Sequence, residues 1–136
     1  MNTLDESEIA ALNAALDDEY HAWTTYDQVI RDFGLVRPFS NIRDAEARHI
    51  DALLGLFERY GVPVPANPWP GRGERYPTLH DACIAAVAAE MANAALYGRL
   101  LASTTRPDIL AVFGNLQEAS QQRHLRAFQR CVERRG

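Results

Sequence analysis

Glu90 stands alone in an almost unbroken apolar run, Ala82-Cys-Ile-Ala-Ala-Val-Ala-Ala-Glu90-Met-Ala-Asn-Ala-Ala-Leu96. A carboxylate among alanines and valines has to be neutralised, because an unpaired buried charge costs several kcal/mol even after relaxation. Candidate partners recur along the chain: Glu19, the pair Glu46 and His49, and His124. Glu46 and His49 stand at i and i+3 of a helix, about 5–6 Å apart at Cβ, so a carboxylate oxygen and an imidazole nitrogen reach one ion. Alone, Glu-x-x-His is a weak signal and often marks only a solvated face. Joined by Glu19, Glu90 and His124 it describes a metal site inside a helical bundle. Three carboxylates and two imidazoles suit Fe²⁺, Mn²⁺ or Zn²⁺ better than Ca²⁺ or Mg²⁺, which prefer all-oxygen ligand sets.

The spacing repeats. Glu19 is followed seven residues later by Tyr26, and Glu90 seven residues later by Tyr97. Seven residues is nearly two helical turns, so each Glu and its Tyr share a face roughly 10 Å apart. Tyr26 and Tyr97 are therefore candidate hydrogen-bond donors behind the ligands, with plain core packing as the other reading. Phe39-Ser-Asn-Ile42 leads to Glu46-Ala-Arg-His49, and Phe113-Gly-Asn-Leu116 leads to Gln121-Gln-Arg-His124, so two helix pairs look duplicated. Counting back from His124 puts Gln121 in the place of Glu46, whereas counting forward from Phe113 puts Ser120 there. The second copy thus carries one extra residue, which a helix absorbs most cheaply as a π-bulge. Either register leaves the second copy without its Glu. Glu118 becomes a substitute only if the bulge turns it inward.

These residues need helices to hold them. Helix 1 is expected from about Ser7 to Phe33 before Gly34, and helix 2 from a Ser40 or Asn41 cap to Tyr60 before Gly61. Helix 3 is expected from Thr78, whose Thr-Leu-His-Asp resembles a capping box, to about Ser103, and helix 4 from Pro107 toward Arg134. Between them, Gly61 to Pro77 carries Pro63, Pro65, Pro68, Pro70 and Pro77 and is neither helix nor central strand. Such a strap reaches over ~50 Å when extended, more than the ~30 Å length of helix 2. It permits a crossover that leaves helix 3 parallel to helix 2. The expected architecture is an all-α four-helix bundle with one long crossover between helices 2 and 3, a single domain over 1–136.

Composition narrows the rest. The chain has 136 residues, 24% of them charged, and a net charge of −4, which argues against nucleic-acid binding. Arg123, Arg126, Arg130 and Arg134 form a stripe that reads as cations complementing a helix C-terminus. No membrane segment is expected, since Glu90 interrupts the longest apolar stretch. The opening residues Met1 to Glu8 are acidic, unlike a signal peptide, so a cytoplasmic location is expected, as is a homo-oligomer. Cys83 and Cys131 form no Cys-x-x-Cys and read as small core residues, although antiparallel helices 3 and 4 would bring both thiols to one end. His21 and His80 read as solvated.

With Glu19, Glu46, His49, Glu90 and His124 in place, the chain resembles the ferritin-like superfamily from about Ser7 to Phe128. Its di-iron carboxylate sites take one Glu from each of two helices and Glu-x-x-His from the other two. It looks closest to small bacterial and archaeal ferritin-like domains of no settled function. The resemblance implies that Glu19, Glu46 and His49 hold one iron, Glu90 and His124 a second, with Glu46 shared. Gln121 departs from the usual second shared Glu, although animal ferritins also carry Gln at the matching place. The function implied is a ferroxidase or peroxidase, acting on Fe²⁺ with O₂ or H₂O₂, with electrons from the iron or an external donor. The competing expectation is a non-catalytic scaffold, metal-stabilised or metal-free, that works through oligomerisation.

Overall fold

The computed structural model describes residues 3–135; Met1, Asn2 and Gly136 lie outside the described residues. Among those described there is no strand, and four long helices make an all-α bundle. Helix α1 spans Glu6–Phe33 and opens with a reciprocal cap. The Glu8 N–H donates to Asp5 Oδ1 at 2.8 Å, and the Asp5 N–H donates to Glu8 Oε1 at 3.1 Å, filling two of the orphan donors of a first turn. Helix α2 spans Phe39–Tyr60. Its expected cap by Ser40 or Asn41 is corrected: both lie inside the helix, which begins directly after Pro38 with no side-chain cap. Buried Phe39 holds that end by packing instead. Gly61, at φ 66°, takes the left-handed conformation that ends α2, and the Val62 N–H reaches back to the Phe57 carbonyl.

Helix α3 spans Leu79–Leu100 behind a Thr78 cap and tightens into a 3₁₀ turn at Leu101–Ser103. The fourth rod is α4 (Pro107–Glu118), a π-helical segment (Ala119–His124) and α5 (Leu125–Arg135), without a break in the helical backbone. The extra residue of the second repeat is thus taken up as one wide turn at the level of His124.

The strap climbs α1. The Trp69 indole stacks on His21 with ring centroids 3.9 Å apart and donates to Asp17 at 2.9 Å. Glu74 accepts from Thr25 Oγ1 at 2.8 Å and lies 3.0 Å from His21 Nε2, and Arg75 pairs with Asp32 at 2.7 Å. His21 is therefore no solvated bystander. Contacts from Asp17 up to Asp32 carry the chain back to the end where α2 began, so α3 runs parallel to α2. At Gly73 a Cβ would lie 2.7 Å from the Thr24 carbonyl oxygen, so only glycine lets the strap lie this close to α1.

Two apolar clusters fill the bundle. One packs Leu12, Leu16, Leu53, Phe57, Ile109 and Phe113, the other Tyr26, Phe39, Ala86 and Phe128 with Cys83 and Cys131. The cysteines are not separate inert residues: they form a disulfide, Cα to Cα 5.8 Å, tying α3 to α5. No helix among the described residues is long and apolar enough to cross a membrane.

Candidate metal centre

Between the two clusters the bundle interior turns polar. Glu19 from α1, Glu46 from α2, Glu90 from α3 and His124 from the π segment are all buried, with 1–4% of their surface exposed. His49, one turn after Glu46, keeps 12% of its side chain accessible. His49 Nδ1 lies 3.0 Å from Glu19 Oε1 and 3.5 Å from Glu46 Oε1. His124 Nδ1 lies 3.3 Å from both Glu46 Oε1 and Glu90 Oε1. Glu46 therefore stands between two acid–imidazole groups, one from each half, and the two imidazoles stack 5.5 Å apart. One ligand atom each from Glu46, His49 and His124 fall within 4.8 Å of one another.

The protein leaves part of this bonding capacity unused. Glu46 Oε1 and His124 Nδ1 are buried and, although they face each other, neither has a hydrogen-bond partner. Burial, then the charges of Glu19 and Glu90, push the Glu46 carboxyl well above the usual range. A proton or a cation must offset this cluster. Carboxylate oxygens and imidazole nitrogens with free lone pairs fit a divalent transition ion, so the donor chemistry suits the expected group.

Tyr26 and Tyr97 are both buried, but Tyr26 serves the opposite half from its own. Tyr26 Oη donates to Glu90 Oε2 at 2.5 Å across the bundle. The Tyr97 hydroxyl is buried without a partner, and burial followed by the Glu19 charge holds its phenol well above the ordinary value.

The fourth carboxylate position is where sequence and structure part. Gln121, expected among the ligands, is exposed, and so is Glu118. The wide π turn adds a residue, so the side chain pointing inward before His124 is Ser120, four residues back instead of three. Ser120 Oγ donates to Asn93 Oδ1 at 2.5 Å, while the Asn93 amide donates to Asp18 and lies 3.4 Å from Glu19 Oε2. A neutral Ser–Asn pair thus fills the place opposite Glu46. Asp18 is pushed up to about 6, chiefly by burial, against the opposing pull of the Asn93 hydrogen bond. Asn93 and Asp18 escaped the sequence reading. Their signal was available in Asn93, a lone amide one turn after Glu90 in an alanine-rich helix.

Neither a family model nor a curated protein matches this chain. The fold is similar to the crystal structure of a hypothetical protein from Methanococcus jannaschii, with a TM-score of 0.85 and 25% identity over 98% of this chain and 83% of that one.

Proposed function

We propose that this is a ferritin-like di-metal carboxylate protein, an oxidoreductase that oxidises Fe²⁺ or reduces peroxide or dioxygen in the bundle core. The observation that carries the reading is the pair of buried, unpartnered atoms, Glu46 Oε1 and His124 Nδ1, at the meeting point of two carboxylate–imidazole groups. Orphaned polar atoms in a core cost ~1–3 kcal/mol each, and a coordinated cation removes that cost. Glu19, Glu46 and His49 would hold one ion and Glu46, Glu90 and His124 the other; iron fits, and manganese or zinc suit the same donors. Bound iron supplies one electron per ion, so two Fe²⁺ and two protons convert one H₂O₂ to two waters.

The chain's residues do the rest. Glu46 spans both groups and sets their separation. Tyr26, through its hydrogen bond, fixes the rotamer of Glu90 and keeps a proton beside it. Apolar layers above and below exclude bulk water from the carboxylates. Electrons beyond those of Fe²⁺ itself come from an external donor. The proposal includes a cytoplasmic homo-oligomer; exposed Ile84 and Met91 on α3 offer apolar surface for self-association. Light scattering of the purified protein tests the oligomer.

Metal analysis after native purification from iron-supplied cells is the direct test. About two equivalents per chain are expected. One equivalent would favour a mononuclear site, for which Glu46, His49 and His124 bring one ligand atom each within 4.8 Å of one another, and none would favour the scaffold reading.

A further inference from the structure

A cavity of about 70 Å³ lies between α1 and α3 beneath the strap, and its inner end is the Glu90–Tyr26 pair. Ala22 on α1 and Ala85, Ala86 and Ala89 on α3 line it, with Val29 and Phe39 nearer the core. Alanine at these positions leaves space that larger side chains would fill. At the strap side Glu74 lines the cavity, held by Thr25 and His21. Three carboxylates border the space, Asp18, Glu74 and Glu90, and no Arg does.

We infer that this cavity is the binding pocket and entrance for a small uncharged oxidant, dioxygen or hydrogen peroxide, on its way to the Glu90 side of the metal centre. This rests on the di-metal reading. Size selects the ligand: the space is about half of the ~150 Å³ of an apolar cavity that accepts benzene, so two or three heavy atoms fit and a branched alkyl hydroperoxide does not. Charge selects it too. Asp18 and Glu90, with no Arg among the lining residues, repel anions such as superoxide or azide, whereas apolar walls favour dioxygen and the Tyr26 hydroxyl oxygen, whose own proton goes to Glu90, can accept a hydrogen bond from peroxide.

The pocket is testable without metal. In metal-free protein under dioxygen pressure, the methyl NMR signals of Ala82 and Ala86, buried at the cavity wall, should relax faster than those of Ala11 and Ala15, equally buried in the apolar cluster away from the cavity. Equal relaxation across the two sets overturns the inference. With iron bound, Ala22→Leu and Ala85→Leu are expected to slow oxidation by H₂O₂ or O₂ at least tenfold while Fe²⁺ stoichiometry stays at the wild-type value. Ala89→Val, a smaller plug, serves if either variant fails to fold. Whichever of the two oxidants is slowed more is the one the pocket chiefly serves. Wild-type rates in all plugged variants, or equal rates with H₂O₂ and tert-butyl hydroperoxide in the wild type, overturn the inference and leave the metal reading standing. Failure of the wild type to bind metal overturns the metal reading, and the methyl relaxation still decides whether the cavity admits dioxygen.

Discussion

The two helix pairs each bring a Glu and a His to the same level but surround them with different residues. In the first pair a regular helix presents Glu46 and His49 one turn apart, and Glu19 completes an acid-rich group with Asp18 beside it. In the second, the π segment presents Ser120 and His124, and the only carboxylate is Glu90. One half is charged and the other partly neutralised. On the proposed di-metal reading, such a near-symmetric bundle would hold one ion tightly and its neighbour loosely, because coordination strength follows the local ligands and not the shared fold.

Removing the residue common to both halves should break the comparison outright. Glu46→Ala is expected to weaken Fe²⁺ binding by more than the roughly 100-fold that loss of a supporting group costs, since it deletes a ligand from both groups. Anaerobic Fe²⁺ titration measures it. Near wild-type affinity would remove Glu46 from the ligand set.

Proton and metal should oppose each other next. Asp18, raised from 3.8 to about 6, and Glu46, also raised, favour the folded state while protonated. That contribution is complete below the unfolded value near pH 4 and is lost as pH rises through the folded value. Metal-free protein is therefore expected to lose stability from about pH 4 to beyond pH 6. Bound Mn²⁺ or Fe²⁺ replaces the protons, so loaded protein should gain on its metal-free form over the same range, by on the order of 10 °C at pH 7 and a hundredfold excess over Kd. Thermal melts at pH 4.5 and pH 7, with metal and with chelator, test the pair. A gap that does not change with pH would count against metal at these carboxylates.

Returning the absent carboxylate should make the halves more alike. Ser120→Glu is expected to tighten the weaker ion by about tenfold, ~1.4 kcal/mol. Gln121→Glu, on the exposed side of the turn, should change nothing. If Gln121→Glu is the variant that gains, the register of the π segment is wrong.

The tyrosines give the smallest contrast. Tyr26→Phe removes a hydrogen bond to a carboxylate and should cost about 1.5–3 kcal/mol in urea unfolding of metal-free protein, whereas Tyr97→Phe removes a buried hydroxyl without a partner and should cost about nothing. Equal losses would mean that the two halves treat their tyrosines alike.

Helix positions and the crossover were legible because apolar periodicity, Pro107, Gly34 and Gly61 are local signals. Glu19, Glu46, His49, Glu90 and His124 were legible as a set because the repeat supplies their spacing, and the structure brings all five together. Gln121 was misplaced because an inserted residue leaves two registers that a single sequence cannot separate. Asn93 bonding to Ser120, the Cys83–Cys131 link and Tyr26 crossing over to Glu90 of the other half depend on which helix faces which, and no local pattern encodes that. The strap's grip on α1 was hidden for another reason. A proline-rich segment has no period from which to read its contacts.

The wide turn at Ala119–His124 also measures how far the two halves stand from symmetry. Deleting exposed Gln122 would leave Ser120-Gln121-Arg123-His124, with Ser120 three places before the imidazole, as Glu46 is before His49. One substitution, Ser120→Glu, beyond that deletion would give the second half a Glu-x-x-His. The protein therefore lies two changes, one deletion and one substitution, from a form with matching halves, and that symmetrised chain would be the natural standard for what the wide turn contributes.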